Sequence, residues 1–378
     1  MEDIGRTRKI LEMLVSTPSI NPFDKKGEGE RAVALLIERF FKELGVDVVE
    51  QDVIDGRYNV IGILKGNSSG RRLMYNGHMD TVGVNGMKGN PFSAEVDGTG
   101  YLHGRGATDM KGGLAAMLAA MEILSKENLM KGELVFAAVV DEEYLGRGTQ
   151  RLVNDFSASA GVVGEPTGMK IGVAHKGAAR YTVEVLGRAA HGSSPQNGID
   201  AIAEACRFID GIYKMEFRKE HQLLGKPVIH TSMISGGSEW STVPGSCTIY
   251  VERRTIPGET EEDVIREASE IIQNIKSSDS KFNASVKLWK YFPPMQVPVQ
   301  SEVVNYLQSA ISDFSKPEIV GLPYWTDAAT MNAAGIPTVV FGPGSIDHAH
   351  SINEMIRLEE VHQASKVYYR LAKEFLNH

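Results

Sequence analysis

Between residues 28 and 44 the apolar residues Ala32, Val33, Leu36, Ile37, Phe40, Phe41 and Leu44 recur at helical spacing. Gly45 follows where a helix-ending glycine belongs, so the pattern predicts a helix there. Short apolar runs then alternate with helical patterns: strands are expected over 59–64, 73–76, 134–140, 161–164 and 338–341, with a helix over 114–124. Alternation of this kind predicts an α/β layer built on a largely parallel sheet. The run Leu134-Val135-Phe136-Ala137-Ala138-Val139-Val140 is apolar on both faces. A strand covered by helices on either side has that character, so it is placed at the centre.

After about residue 176 the pattern changes. Tyr181-Thr182-Val183-Glu184-Val185 alternates apolar with polar, as a sheet with one wet face does. A helix over 199–212, strands over 228–235 and 247–252, a helix over 261–275 and a strand over 284–289 complete the order β-α-β-β-α-β, the ferredoxin-like arrangement. Tyr291-Phe292-Pro293-Pro294-Met295 then leads back to patterns like those of the first segment. The expected organisation is a discontinuous domain, residues 1–176 plus 291–378, carrying an inserted domain over 177–290. Two domains also suit 378 residues, because a single core stops growing at roughly 250–300.

Composition narrows the function. The 42% hydrophobic and 23% charged residues are those of a soluble globular protein, not of a disordered or collagenous chain. Lysine and arginine number 40 against 48 acidic residues, leaving no basic field for nucleic acid or an anionic membrane surface. No apolar run reaches the roughly 18 residues of a spanning helix. The residues Ile4, Leu11, Leu14 and Val15 form an amphipathic start without the core of a secretory signal. Cys206 and Cys247 are too few for a disulfide framework and lack the paired spacing of a thiolate zinc site. A cytoplasmic location is the expectation.

The chemistry-bearing residues share one placement. His78 and Asp80 follow the strand over 73–76, and Asp109 lies in the glycine-rich turn Gly104-Arg105-Gly106-Ala107-Thr108-Asp109. Asp141, Glu142 and Glu143 follow the central strand, Glu165 follows 161–164, and His350 lies in the loop after Phe341. Each falls near the C-terminal end of an expected strand or in a loop beside one, the edge at which open parallel sheets bind ligands. Carboxylates crowded there oppose one another's ionisation, and a metal ion relieves that cost. Imidazole and carboxylate without thiolate suit zinc, cobalt or manganese, and the inventory exceeds what one tetrahedral ion needs. Two ions sharing a carboxylate use it better and supply hydrolytic chemistry, with a further carboxylate that is not a ligand moving the proton.

The segments Gly77-His78-Met79-Asp80, Gly104-Arg105-Gly106-Ala107-Thr108-Asp109-Met110-Lys111-Gly112-Gly113, Asp141-Glu142-Glu143, Gly164-Glu165-Pro166-Thr167, Ala190-His191-Gly192 and Phe341-Gly342-Pro343-Gly344-Ser345 occur in that order. With His350-Ser351-Ile352-Asn353-Glu354 they resemble the dimetal amidohydrolases and exopeptidases that include acetylornithine deacetylase, succinyl-diaminopimelate desuccinylase, aminoacylase and glutamate carboxypeptidase. The resemblance implies that His78, Asp109 and Glu165 hold one metal while Asp109, Glu143 and His350 hold the other. It implies Glu142 as general base and acid, and Asp80 as the hydrogen-bond partner that orients His78. It further implies a homodimer paired through the inserted domain, with His191 stabilising the oxyanion in the partner's site.

Arg254 matches the family arginine that binds the substrate carboxylate, with Arg253 beside it as the other choice. Ser241 stands where relatives usually carry an asparagine, and Trp325 where the residue is usually small. Trp325 is expected either to narrow the pocket or to pack in a core. The implied activity is metal-dependent cleavage of the amide of an N-acyl amino acid by a hydroxide bridging two divalent ions, zinc first, with cobalt or manganese as alternatives. A dipeptidase or carboxypeptidase would use the same residues. A non-catalytic binding protein on the same fold is the alternative from another class. A nucleotide site at Gly104 and Gly106 fails for want of the third glycine of the dinucleotide fingerprint.

Overall fold

The structure is a computed structural model and describes residues 4–24, 27–127 and 130–378. Two compact units account for it: residues up to Val173 with Val297–Val320 and Thr326–His378, and Ala174–Gln296 with Gly321–Trp325. The expected insert, 177–290, is drawn wider. Met295 pairs with His175 in antiparallel register, and the Lys176 amide donates to the Leu322 carbonyl oxygen at 3.0 Å, so these short pieces belong with the second unit.

In the first unit four parallel strands stand side by side in the order Glu133–Val139, Arg72–His78, Ala160–Val163, Thr338–Val340. Val135, Phe136, Ala137 and Ala138 are fully buried on both faces, as their unbroken apolar run requires. Beyond Glu133–Val139 the sheet continues antiparallel through Arg57–Lys65 and Asp47–Ile54. The chain leaves Arg72–His78 for the neighbour on one side and then returns to the neighbour on the other. Strand order therefore reverses at Arg72–His78, and a crevice opens beyond its C-terminal end.

The helix Gly112–Glu127 is buried almost all round, from Gly112 through Glu122, and Leu358–Asn377 packs beside it. Its N-terminus comes unusually close to a strand end: a Cβ at Gly113 would lie 2.0 Å from the Gly164 carbonyl oxygen. Only glycine permits that approach, which brings the turn bearing Asp109 next to the strand bearing Glu165. The helix expected over 28–44 runs over Arg31–Glu43, preceded by Glu30, whose side chain accepts from Arg57 Nε at 2.8 Å.

The second unit follows the β-α-β-β-α-β order: Gly177–Leu186, Ala201–Tyr213, Val228–Gly236, Ser246–Thr255, Glu261–Ser278 and Ala284–Phe292. Its sheet is antiparallel, with neighbours Val228–Gly236, Ser246–Thr255, Gly177–Leu186 and Ala284–Phe292. Tyr181, Val183, Val185, Ile249 and Val251 pack with Phe208 and Ile272 of the two helices into one core. Among the described residues no helix is long and apolar enough to cross a membrane.

Candidate metal centre

His78 ends its strand, Asp141–Glu143 follow the next, Glu165 follows the third, and the loop after the fourth carries His350. Side chains leaving neighbouring parallel strands at one edge must meet, and here they do. His78 Nε2 lies 3.0 Å from Asp109 Oδ1 and 3.4 Å from Glu165 Oε1. His350 Nε2 lies 3.1 Å from Asp109 Oδ2 and 3.1 Å from Glu143 Oε2. Each imidazole nitrogen thus faces two carboxylates, and Asp109 gives one oxygen to each histidine. Donor atoms of His78, Glu142 and Glu165, and those of His78, Asp109 and Glu143, also lie within 4.8 Å of one another.

The other ring nitrogen of His78 fixes its tautomer. Nδ1 donates to the backbone carbonyl oxygen of Asp80 at 2.9 Å, while the Asp80 carboxylate stands 3.7 Å away. Asp80 thus meets the far nitrogen of His78 through its carbonyl and not through its carboxylate. The Asp80 carboxylate is turned instead to the amides of Glu142 and Glu143, which donate to it at 3.2 and 3.1 Å. Burial opposes a charge on His78, but Glu165 and Asp109 outweigh it and raise the imidazole well above its usual range. With Nδ1 turned to the carbonyl, a cation would take Nε2 and both acids together. Glu143 Oε1 is buried with no hydrogen-bond partner. A divalent ion fits this donor set on both counts.

Electrostatics agree with the geometry. Burial pushes the Glu143 carboxyl up to about 7, with Asp109 adding to it against the hydrogen bond from His350. Burial also drives Glu142 well above the usual carboxylate range, and the charges of Glu165, Asp327 and Glu143 reinforce it. His350 rises to about 11 through its hydrogen bonds to Asp109 and Glu143. Asp109 goes the other way: burial opposes its ionisation, but His350 and His78 outweigh that and hold it below the usual range.

Several side chains around the centre were given no role by the sequence reading. Glu354 is buried and accepts from the amides of Gly106, Thr108 and Asp109 at 2.9, 3.0 and 3.0 Å and from Arg105 Nη1 at 2.6 Å. It thereby holds the turn that presents Asp109. Asp327, two residues after Trp325, is buried and accepts from Thr149 Oγ1 at 2.7 Å, and Thr149 accepts from Asn76 Nδ2 at 3.0 Å. Lys111, also buried, donates to the Thr17 carbonyl oxygen at 2.8 Å, and burial brings its ammonium down to about 7.

His191, Ser241 and Arg254 lie in the second unit. His191 and Ser241 adjoin on a two-stranded ribbon, where His191 pairs with Thr242 and the Gly192 amide donates to the Ser241 carbonyl oxygen at 2.6 Å. Both side chains are exposed, and His191 Nδ1 lies 2.8 Å from Ser193 Oγ. The two adjacent arginines separate cleanly. Arg253 is fully buried between Glu259 and Glu267, whereas Arg254 is partly exposed and pairs with Glu252 at 2.7 Å. Trp325 packs on Phe292, ring centroids 4.9 Å apart, so it is a packed aromatic in the second unit.

Comparison with known proteins gives the same direction. The family described as peptidase family M20/M25/M40 matches residues 74–374. An N-formyl-4-amino-5-aminomethyl-2-methylpyrimidine deformylase of Halalkalibacterium halodurans is 27% identical, over 94% of this chain and 91% of that one. An acetylornithine deacetylase of Myxococcus xanthus is 29% identical, over 89% of this chain and 87% of its own. The crystal structure of a tripeptidase from Staphylococcus aureus shares the fold at a TM-score of 0.85, with 21% identity and all of both chains covered.

Proposed function

The chain belongs to peptidase family M20/M25/M40 and is a hydrolase of amide or peptide bonds, and within that class we propose that it deacylates N-acyl amino acids. One observation carries the reading: two histidines each face two carboxylates and share Asp109 between them. His78, Asp109 and Glu165 would hold one divalent ion, and Asp109, Glu143 and His350 a second. Zinc is the ion we assign, with cobalt or manganese as substitutes. Such a pair supplies an acidified water and a polarised carbonyl.

The chain's own residues do the rest. Glu142 takes the proton as water attacks the acyl carbon and gives it to the amine as the carbon–nitrogen bond breaks. Its burial, which favours the protonated carboxyl, suits a group that must carry a proton between two steps. Asp80 holds the amides of Glu142 and Glu143, and its carbonyl holds His78. Arg254, free of the burial that consumes Arg253, would bind the substrate carboxylate, and Ser241 would take part in substrate recognition. His191 would donate to the oxyanion in the partner's site. Pairing of two copies is supported by the edge strand Val228–Gly236, which is bonded on one side to Ser246–Thr255 and exposes Val228, Met233 and Ile234. The free thiols Cys206 and Cys247 accord with the cytoplasm.

Amine release from N-acetyl, N-succinyl and N-formyl amino acids, measured beside dipeptides with zinc-loaded protein, tests this. The expected outcome is cleavage of an acyl amino acid and a loss of about 100-fold or more in kcat for Glu142→Gln. Cleavage of dipeptides alone would move the protein to the peptidases, and an unimpaired Glu142→Gln would remove Glu142 from the mechanism.

A further inference from the structure

Three successive backbone amides beside the metal centre are held by carboxylates from distant parts of the chain. The N–H of Asp141 donates to Glu30 Oε1 at 3.1 Å, that of Glu142 to Asp80 Oδ1 at 3.2 Å, and that of Glu143 to Asp80 Oδ2 at 3.1 Å. Asp141 itself has φ of 69°, in the left-handed region that residues with a side chain rarely occupy. Such a conformation persists only where the surroundings over-determine it.

Here they do. The Asp141 carboxylate is fully buried and accepts from Arg147 Nε at 2.5 Å, Arg147 Nη2 at 3.0 Å, Arg57 Nη1 at 3.0 Å and Asn21 Nδ2 at 3.2 Å. Arg57 also donates through Nε to Glu30 Oε2 at 2.8 Å, so it steadies both the carboxylate of Asp141 and the acceptor of its amide. Asn21 Nδ2 donates in addition to Asp80 Oδ2 at 2.7 Å, joining Asp141 to the carboxylate that holds the next two amides. The circuit closes around the turn from which Glu142 and Glu143 depart.

We infer that Asp141, clamped by Arg57 and Arg147, is the positioning residue for Glu142. The clamp fixes the turn in its left-handed form and so fixes the direction in which the Glu142 side chain leaves the backbone. A displacement of about 1 Å at a reacting group costs on the order of 100-fold in rate, so the device acts on turnover rather than on substrate binding. The inference rests on the reading of Glu142 as the base.

Asp141→Asn and Asp141→Gly test it, because asparagine and glycine tolerate a positive φ while losing the carboxylate that the arginines grip. Arg57→Lys serves as the conservative variant beside Arg57→Met. Each is assayed at saturating zinc on the acyl amino acid that the parent cleaves fastest, with bound metal and thermal midpoint recorded and Glu142→Gln alongside. Expected for both Asp141 variants is a kcat about 10- to 100-fold below the parent, with KM within about 3-fold and metal content unchanged. Arg57→Lys should recover part of what Arg57→Met loses. Asp141→Asn with kcat within about 2-fold of the parent, while Glu142→Gln is inactive, would overturn the inference and leave the base in place. A rate loss that only follows the loss of folded protein would overturn it as well. Glu142→Gln at the parental rate would remove the underlying reading and this inference together.

Discussion

In the second unit the guanidinium of Arg253 is fully buried, and all three of its nitrogens are used. They donate to both oxygens of Glu259 and of Glu267 and to the Arg254 carbonyl oxygen, at 2.7 to 3.3 Å, and the Phe217 ring lies 4.2 Å away. In the first unit the buried acids around His78 and His350 outnumber the cations, and Glu143 keeps one oxygen with no partner. Both places bury charge, at a cost of several kcal/mol per ion before pairing. Arg253 recovers that cost within the chain. The acids of the first unit leave theirs open, and an open account of this kind is what a bound cation closes. Completeness of pairing, rather than burial of charge, separates a structural cluster from a functional one in this molecule.

The contrast is sharpest where one partner is taken away. Arg253→Met should cost about 3–5 kcal/mol, because Glu259 and Glu267 are left beside an apolar side chain, while the first unit keeps its bound metal. Urea titration with metal analysis would show this, and loss of metal together with stability would break the distinction. Metal removal is the converse experiment. Dialysis against a chelator should lower the stability of the first unit by about 3 kcal/mol relative to protein held at zinc a hundred times the dissociation constant. The stability of the second unit should not change, and equal shifts in both, read by hydrogen exchange, would contradict it.

The smallest effect is expected at Asp327, a buried acid of the first unit two residues beyond Trp325. Burial pushes its carboxyl up to about 7, against the hydrogen bond from Thr149. A carboxyl whose folded pKa lies above its unfolded value favours the folded state when protonated. The parent therefore loses stability as pH rises from about 4 through about 7. Asp327→Asn removes that loss, so its thermal midpoint should exceed the parent's at pH 8 and not at pH 4. The difference is on the order of 1 kcal/mol once the extra amide hydrogen is counted. An equal offset at both pH values would show that the carboxyl does not titrate between folded and unfolded states.

Much of this was legible before any coordinates. The unbroken apolar run over 134–140 gave a central strand, and acids and histidines placed after strands in one sheet had to converge on one edge. What stayed hidden was local pattern without periodicity. Asp47–Ile54 is an edge strand with half of its positions exposed and one buried, so its polar residues masked it. Asn21, Glu30 and Arg57 lie 120, 111 and 84 residues from Asp141, and nothing in their neighbours announces the contact. Asp80 was expected to orient His78, and only geometry shows that its carbonyl, not its carboxylate, makes the contact. Glu354, four residues after His350, stood inside a motif without a role. A buried acid facing a run of turn amides is visible only once the turn has a shape.

The first unit takes its last parallel strand, Thr338–Val340, its second histidine and its helix Leu358–Asn377 from beyond the second unit in the chain. Translation therefore delivers the acids of the metal centre long before the residues that complete it. By Trp325 the ribosome has made every residue of the second unit, while the first still exposes the strand edge of Ala160–Val163 that Thr338–Val340 will cover. During that interval Asp109, Glu143 and Glu165 stand without His350, and the unpaired strand is open to other chains. Slow synthesis through residues 326–378 would lengthen this period of exposure to misassembly.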